Sequence, residues 1–374
     1  MRDRSRLRDS GRLVVKVGSS SITYQNGKPN LSRMELLARE LSDLHNRGLE
    51  IILVTSGAIG VGLNRLGFAK RPKNIPDKQA AAAVGQGLLM HIYEKLFAEY
   101  GVTVGQVLLT REDFSDRHRF LNARNTLYAM MNLGVIPIIN ENDTVAVDEI
   151  KLGDNDNLAV LVGGLVDADV LILLSDVDGL YSADPRSVSD AGLISEVTEI
   201  TEEMEKNCGG AGSSLGTGGM LTKLQAARIA MHSGLVMVLA SAAERDVVRK
   251  IMAGERIGTV FWPLAKLEHK KRWIAYSSSV QGKIFVDDGA ARALLNNGKS
   301  LLPSGVTGVE GNFEMGNTVC VMDLQGREIA RGIVNYAARD IEKIKGRHSH
   351  DIKKILGQQD YEEVIHRNNL VLNV

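Results

Sequence analysis

Two clusters of Asn and Asp, seven side chains in all, crowd one stretch of the chain, INENDTVAVDEIKLGDNDNLAVL from Ile139 to Leu161: Asn140, Asn142 and Asp143, then Asp154, Asn155, Asp156 and Asn157. They follow an apolar run that reads as a buried strand. Loops at the carboxyl ends of strands are where open α/β sheets bind ligands, because polar groups can gather there without entering the core. This pattern suits a polar ligand or a metal. It also suits two tight turns and a helix cap, with Asp156 or Asn157 capping the helix that LAVLVGGLV begins. The two roles are compatible.

Four other segments carry groups able to do chemistry. In LVVKVGSS, Lys16 interrupts an apolar strand; a buried ammonium is costly unless it meets a counter-charge, so either an anion such as phosphate sits past the strand or Lys16 turns to water from a sheet edge. TSGAIGVG, from Thr55 to Gly62, brings Ser56 and backbone N–H groups to the start of a helix, which favours an anion, although its glycines equally permit tight strand-to-helix packing. LLSDVDGLYSADPR leaves a strand through Ser175 and Asp176 and reads as a nucleotide-holding loop or as an acidic surface loop. The fourth segment runs from Cys208 to Gly234. Six of its first twelve residues are glycine, and Lys223 follows in the first turns of a helix, an arrangement that favours phosphate or serves as a flexible linker. It is neither GxxxxGK[ST] nor a complete GxGxxG, which disfavours a P-loop NTPase and a Rossmann dehydrogenase.

The elements that must position these groups alternate. Short β-branched runs recur at Leu13 to Val17, Ile51 to Thr55, Val104 to Leu109, Val135 to Ile139, Val170 to Leu174 and Leu235 to Leu239, each apolar on both faces. Between them, Met34 to Arg47, Lys78 to Tyr100, Arg119 to Leu133 and Leu221 to His232 show helical spacing of apolar residues. An α/β fold with an open, mostly parallel sheet sandwiched by helices is predicted. After Trp262 the pattern changes to short strands with glycine punctuation, which predicts a small β-rich domain.

Composition bounds the function. The 374 residues carry 45 basic and 45 acidic side chains, so no general field draws the chain to nucleic acid or membrane. Cys208 and Cys320 lie far apart without metal or disulfide spacing, which fits a reducing, cytoplasmic setting. Neither a secretory leader nor a membrane span is expected.

The motifs VVKVGSS, VTSGAIGVG, GQGLLM, GQVLLTREDF, RFLNARNTL, PIINENDTV, GDNDNLAVLV, LLSDVDGLYSADPR and GTGGMLTKLQAA occur in that order. Together they resemble the glutamate 5-kinases of the amino-acid kinase family, and the region from Gly282 resembles the PUA domain that bacterial members carry. The resemblance implies a catalytic domain over 8–261, a linker over 262–281, a PUA domain over 282–359 and a C-terminal tail over 360–374. It implies transfer of the ATP γ-phosphoryl group to the side-chain carboxylate of L-glutamate, with Mg²⁺, as the committed step toward proline.

Carried over motif by motif, Lys16 and Lys223 flank the transferring phosphoryl and Asp156 holds them, with Asp154 a helper. Ser56, Asp143 and Asn155 match glutamate-binding positions, with Asn140 beside the amino-acid head group; a carboxylate such as Asp143 also suits an α-ammonium on physical grounds. ATP falls to Lys16, Ser175, Asp176 and the loop Thr217, Gly218, Gly219, Met220, Leu221, Thr222 and Lys223. No residue is assigned as a direct metal ligand. Feedback inhibition by proline and a homodimer or homotetramer also follow from the resemblance. The rivals are other kinases of the family, against which the NENDTV and GDNDNL pair argues, and RNA binding through the PUA domain. From Gly282 onward 12 Lys and Arg face 12 Asp and Glu, a balance that weakens the RNA reading.

Overall fold

In the computed structural model, which describes residues 3–68, 70–145, 155–183, 185, 188, 190–207, 219–264, 280–357 and 361–372, the chain divides into two compact units. One comprises Met1–Asp113 and His118–Lys266; the other comprises Phe114–Arg117 and Leu267–Val374.

The first unit is built on an eight-stranded sheet. Its strands are β1 (Arg12–Val17), β2 (Glu50–Val54), β3 (Thr103–Leu109), β4 (Val135–Glu141), β5 (Val170–Ser175), β8 (Glu196–Val197), β9 (Val236–Ser241) and β10 (Thr259–Phe261), in the order β3-β4-β2-β1-β5-β9-β10-β8. All pairs are parallel except β9 with β10. Two short strands, β6 (Leu180–Tyr181) and β7 (Leu193–Ile194), form a separate hairpin-like pair.

The helices before Trp262 are α1 (Ser19–Ile22), α2 (Leu31–Asn46), α3 (Ala58–Arg65), α4 (Ile75–Ala98), α5 (Arg111–Ser115), α6 (Arg117–Asn132), α7 (Asn155–Leu165), α8 (Glu202–Asn207), α9 (Met220–His232) and α10 (Val247–Met252), all within the first unit except the end of α5 and the first residue of α6. Successive strand residues face opposite sides, so β1 serves two layers. Leu13, Val15 and Val17 join Met34, Leu37 and Leu41 of α2 and Leu89, Tyr93 and Phe97 of α4 in one core. Each fully buried leucine or phenylalanine there contributes about 2 kcal/mol relative to exposure. Val14 and Lys16 point to the other side, where α7 and α9 pack together and α7 lies against β1 and β5.

The strand centred on Val104 to Leu109 departs from expectation. As β3 it forms the edge of the sheet, and only Leu109 is fully buried. Its apolar composition serves a single neighbour, β4, rather than two covered faces.

The second unit is a five-stranded sheet in the order β12-β11-β13-β14-β15, formed by β11 (Val280–Val286), β12 (Val306–Gly311), β13 (Thr318–Met322), β14 (Glu328–Ile333) and β15 (Leu370–Leu372). Helices α11 (Asp288–Asn297), α12 (Ala338–Ile344) and α13 (Ile352–Leu356) complete it. β15 falls within 360–374, the segment set apart as a tail. Yet Leu370 and Val371 are buried and β15 pairs antiparallel with β14, because an apolar LVL triplet gains more as a ladder strand than in water. The expected linker also yields residues at both ends. Buried Trp262 continues from β10 and donates its backbone N–H to Val197, and β11 begins at Val280.

Candidate active site

Lys16 is the penultimate residue of β1, in register with Val54 of β2 and Leu173 of β5 at the carboxyl edge of the sheet. It is buried, and its counter-charge is supplied by the protein. The Lys16 Nζ lies 2.5 Å from Oδ1 of Asp156, and the Lys223 Nζ donates to Oδ2 of the same carboxylate at 3.0 Å. Asp156 is 1% exposed, Lys16 5% and Lys223 8%, so three ionised groups from three distant segments meet out of water. Burial pushes the Asp156 carboxyl up, but the two ammonium groups outweigh it and hold it at about 2. Asp156 sits in the first turn of α7, which begins at Asn155, and so does not fill the cap position. Lys223 lies one turn into α9, whose start is fixed by Gly219: the Thr222 hydroxyl donates to the Gly219 carbonyl at 2.7 Å.

A neutral web adjoins this cluster. Asn155 Nδ2 lies 2.5 Å from the Thr55 carbonyl, 2.9 Å from the Ser56 hydroxyl and 2.9 Å from Asn140 Oδ1. Asn140, buried near the end of β4, also accepts the Glu141 N–H at 2.9 Å and donates through Nδ2 to Gln86 Oε1 at 2.8 Å. Thr55 and Tyr93 share a buried hydroxyl hydrogen bond of 2.9 Å. Both the expected substrate residues Ser56 and Asn155 and the expected neighbour Asn140 are therefore joined. Asp143 follows β4 and is half-buried.

Local backbone explains the placement. Gly57, at φ 92°, turns β2 into α3, a conformation that would strain any side chain bearing a Cβ. A Cβ on Gly85 would lie 1.8 Å from the Ala58 carbonyl oxygen, and one on Gly62 would lie 1.8 Å from that of Ala81. This backbone contact between α3 and α4 sets Gln86, the next residue, beside the turn.

Of the expected nucleotide residues, Ser175 ends β5, is buried, and donates to Asp176 Oδ1 at 3.0 Å, while Asp176 is exposed. Met220 and Leu221 form the first turn of α9 with Thr222. Asp154, Thr217 and Gly218 lie outside the described residues. The sequence reading assigned no role to Gln86, Thr55 or Tyr93. The signal available for Gln86 was an amide flanked by two glycines in the small-residue run AAAAVGQG, which places it on a closely packed helix. A 660 Å³ concavity in the second unit is lined by Asp287, Lys299, Glu363, His366 and Arg367 among others; none of the residues above contributes to it. Among the described residues no helix is long and apolar enough to cross a membrane.

The sequence profile of the amino acid kinase family matches residues 11–241, and that of the PUA domain matches residues 282–356. The chain is 56% identical over 362 residues to a protein named glutamate 5-kinase from Caldanaerobacter subterraneus subsp. tengcongensis, covering 96% of this chain and 97% of that one. Proteins of the same name from Moorella thermoacetica (55% over 367 residues, 98% and 97%) and Carboxydothermus hydrogenoformans (56% over 367 residues, 98% and 98%) are as similar. A solved UMP kinase from Bacillus anthracis aligns with a TM-score of 0.47 at 16% identity, over 69% of this chain and 98% of that one, a likeness too loose to carry an argument.

Proposed function

This chain belongs to the amino acid kinase family, in its glutamate 5-kinase branch, and from that premise we propose how its residues phosphorylate the side-chain carboxylate of L-glutamate. The enzyme is an ATP-dependent kinase acting on a carboxyl group, and glutamyl 5-phosphate is its product on the way to proline. A carboxylate oxygen attacks the γ-phosphorus, the bond to the β-phosphate bridging oxygen breaks, and ADP leaves. Glutamate is already ionised at neutral pH, so no general base is needed. What the reaction demands is that two anions be held in line and their charge met in the transition state.

One observation carries this reading: Lys16 and Lys223 converge on the single buried carboxylate of Asp156. Like charges drawn together are costly, and the arrangement makes sense where negative charge develops between them. Lys16 and Lys223 would grip the phosphoryl oxygens, and Asp156 would aim both ammonium groups. Ser56 and Asn155 would meet the glutamate, Asp143 would take its α-ammonium, and Asn140 would support Asn155. Ser175, Asp176 and the segment Thr217 to Lys223 would hold ATP.

Among the described residues no group of three or more His, Cys, Asp and Glu side chains is disposed to hold a metal ion, and Asp156 is already engaged by two ammonium groups. Mg²⁺ would arrive on the phosphates of ATP, with water filling its shell, and neutralise charge there. Proline shares the α-ammonium and α-carboxylate of glutamate, so inhibition by competition for the same pocket belongs to this reading. So do a cytoplasmic setting, a homodimer or homotetramer, and a division into a catalytic domain, a linker shorter than 262–281, and a PUA domain that takes in the strand Leu370–Leu372.

The test is to incubate the protein with ATP, Mg²⁺ and L-glutamate in the presence of hydroxylamine, which converts an acyl phosphate to a hydroxamate. Glutamate-dependent hydroxamate with matching ADP is expected. ADP release indifferent to glutamate would sink the proposal.

A further inference from the structure

Gln86 is 7% exposed, and among the described residues its Nε2 has no hydrogen-bond acceptor. The amide cannot simply be turned round to cure this. Asn140 Oδ1 accepts from the Glu141 N–H and from Asn155 Nδ2, which fixes that side chain with its Nδ2 toward Gln86. Gln86 must then present Oε1 to Asn140, at 2.8 Å, and its NH₂ must face elsewhere. A buried donor left without an acceptor is costly, and native proteins keep few of them.

We propose that Gln86 is a specificity residue that donates its side-chain NH₂ to the α-carboxylate of the amino-acid substrate. The inference rests on the carboxylate-kinase reading above. Gln86 lies at the end of the amide web away from Asp156, two hydrogen bonds beyond Asn155, so it meets the end of the acceptor remote from the reacting carboxylate. A donor suits that end, because an α-carboxylate offers only acceptors. Asp143, also just past the carboxyl end of β4, offers the complementary acceptor for the ammonium. The contact of Gly85 with the Ala58 carbonyl fixes the backbone that carries Gln86, so the donor is held in place before substrate enters.

Two variants and two substrates test this. Gln86→Glu keeps an oxygen for Asn140 but replaces the donor with a negative acceptor; Gln86→Met removes both. Hydroxamate kinetics are run with L-glutamate and with L-isoglutamine, which retains the side-chain carboxylate and carries an amide in place of the α-carboxylate. In Gln86→Glu the KM for glutamate is expected to rise by tenfold or more, as for loss of a hydrogen bond to a charged group, with the ATP constant unchanged. The preference for glutamate over isoglutamine should fall by at least the same factor, because the new carboxylate can accept from the amide. Gln86→Met should also raise the glutamate KM, and it carries the test if Gln86→Glu does not fold. A preference left unchanged in both variants, or a glutamate KM left unchanged in Gln86→Met, overturns the proposal. A wild-type protein inert toward glutamate would instead overturn the kinase reading itself.

Discussion

Lys16, Asp156 and Lys223 form one half of the site and Asn155, Asn140 and Gln86 the other, and the two halves solve the same problem of buried polarity in different ways. The first gathers full charges from β1, α7 and α9, segments far apart in sequence, onto a single carboxylate. The second passes neutral amides from α7 through β4 to α4. Full charges act strongly on a transition state that is itself charged, whereas amides of fixed orientation discriminate by shape and by the sense of each hydrogen bond. The charged half should therefore govern turnover and the amide half admission.

The sharpest way to break that division is Lys223→Ala. Turnover should fall by roughly two to three orders of magnitude, the scale for losing one preorganised charge stabiliser. Lys16→Ala should behave similarly, and the double variant should lose much less than the product of the two, because both ammonium groups are aimed by Asp156 at one phosphoryl group. A single-turnover rate that stays near wild type in Lys223→Ala would remove that lysine from the chemistry. On the admission side, Asp143→Ala should raise the glutamate KM by about tenfold or more while leaving the ATP constant nearly fixed, if Asp143 takes the α-ammonium as proposed. Steady-state series in each substrate read this directly, and the reverse pattern would assign Asp143 to the nucleotide.

A smaller effect separates the halves by pH. The folded Asp156 carboxyl, at about 2, lies below its ordinary value of 3.8, so its contribution to stability is present above pH 3.8 and is lost as pH falls toward 2. The difference amounts to roughly 2 kcal/mol at most. Denaturant melts of wild type and Asp156→Asn should draw closer by that amount between pH 4 and pH 2, while Asn140→Ala should show no such convergence. The smallest effect is expected from the second unit. A chain ending at Gln281 should keep hydroxamate formation within a few-fold of the full chain, because every residue assigned a chemical role precedes Trp262. A soluble, folded truncation without activity would end that division of labour.

The charged half was legible in the sequence because charge inside an apolar strand is rare. Lys16 in LVVKV demanded a partner, and Asp156 lay in the densest polar cluster. Residue types alone left the counter-charge open to a bound anion, and only the resemblance to the family pointed to Asp156, 140 residues further along the chain. The alternating strands and helices were equally plain, but the edge position of β3 was not, because periodicity does not reveal how many neighbours a strand has. The amide half was half hidden. Asn140 and Asn155 stood out by type, whereas Gln86 sits in a helix whose composition speaks only of close packing. Its meaning depends on a backbone contact between α3 and α4 that no local pattern encodes.

The amide run also has a direction. Asn155 donates to Asn140 and Asn140 donates to Gln86, each through nitrogen onto oxygen, and the Glu141 N–H keeps the sequence from reversing. Hydrogen bonds aligned head to tail polarise one another. An anion at the Gln86 end would therefore push electron density along the whole run, making each amide oxygen a stronger acceptor, and tighten the link at Asn155, the residue adjoining Asp156. Recognition of a substrate's head and alignment of the groups that act on its tail would then strengthen in concert, carried by three side chains that need not move.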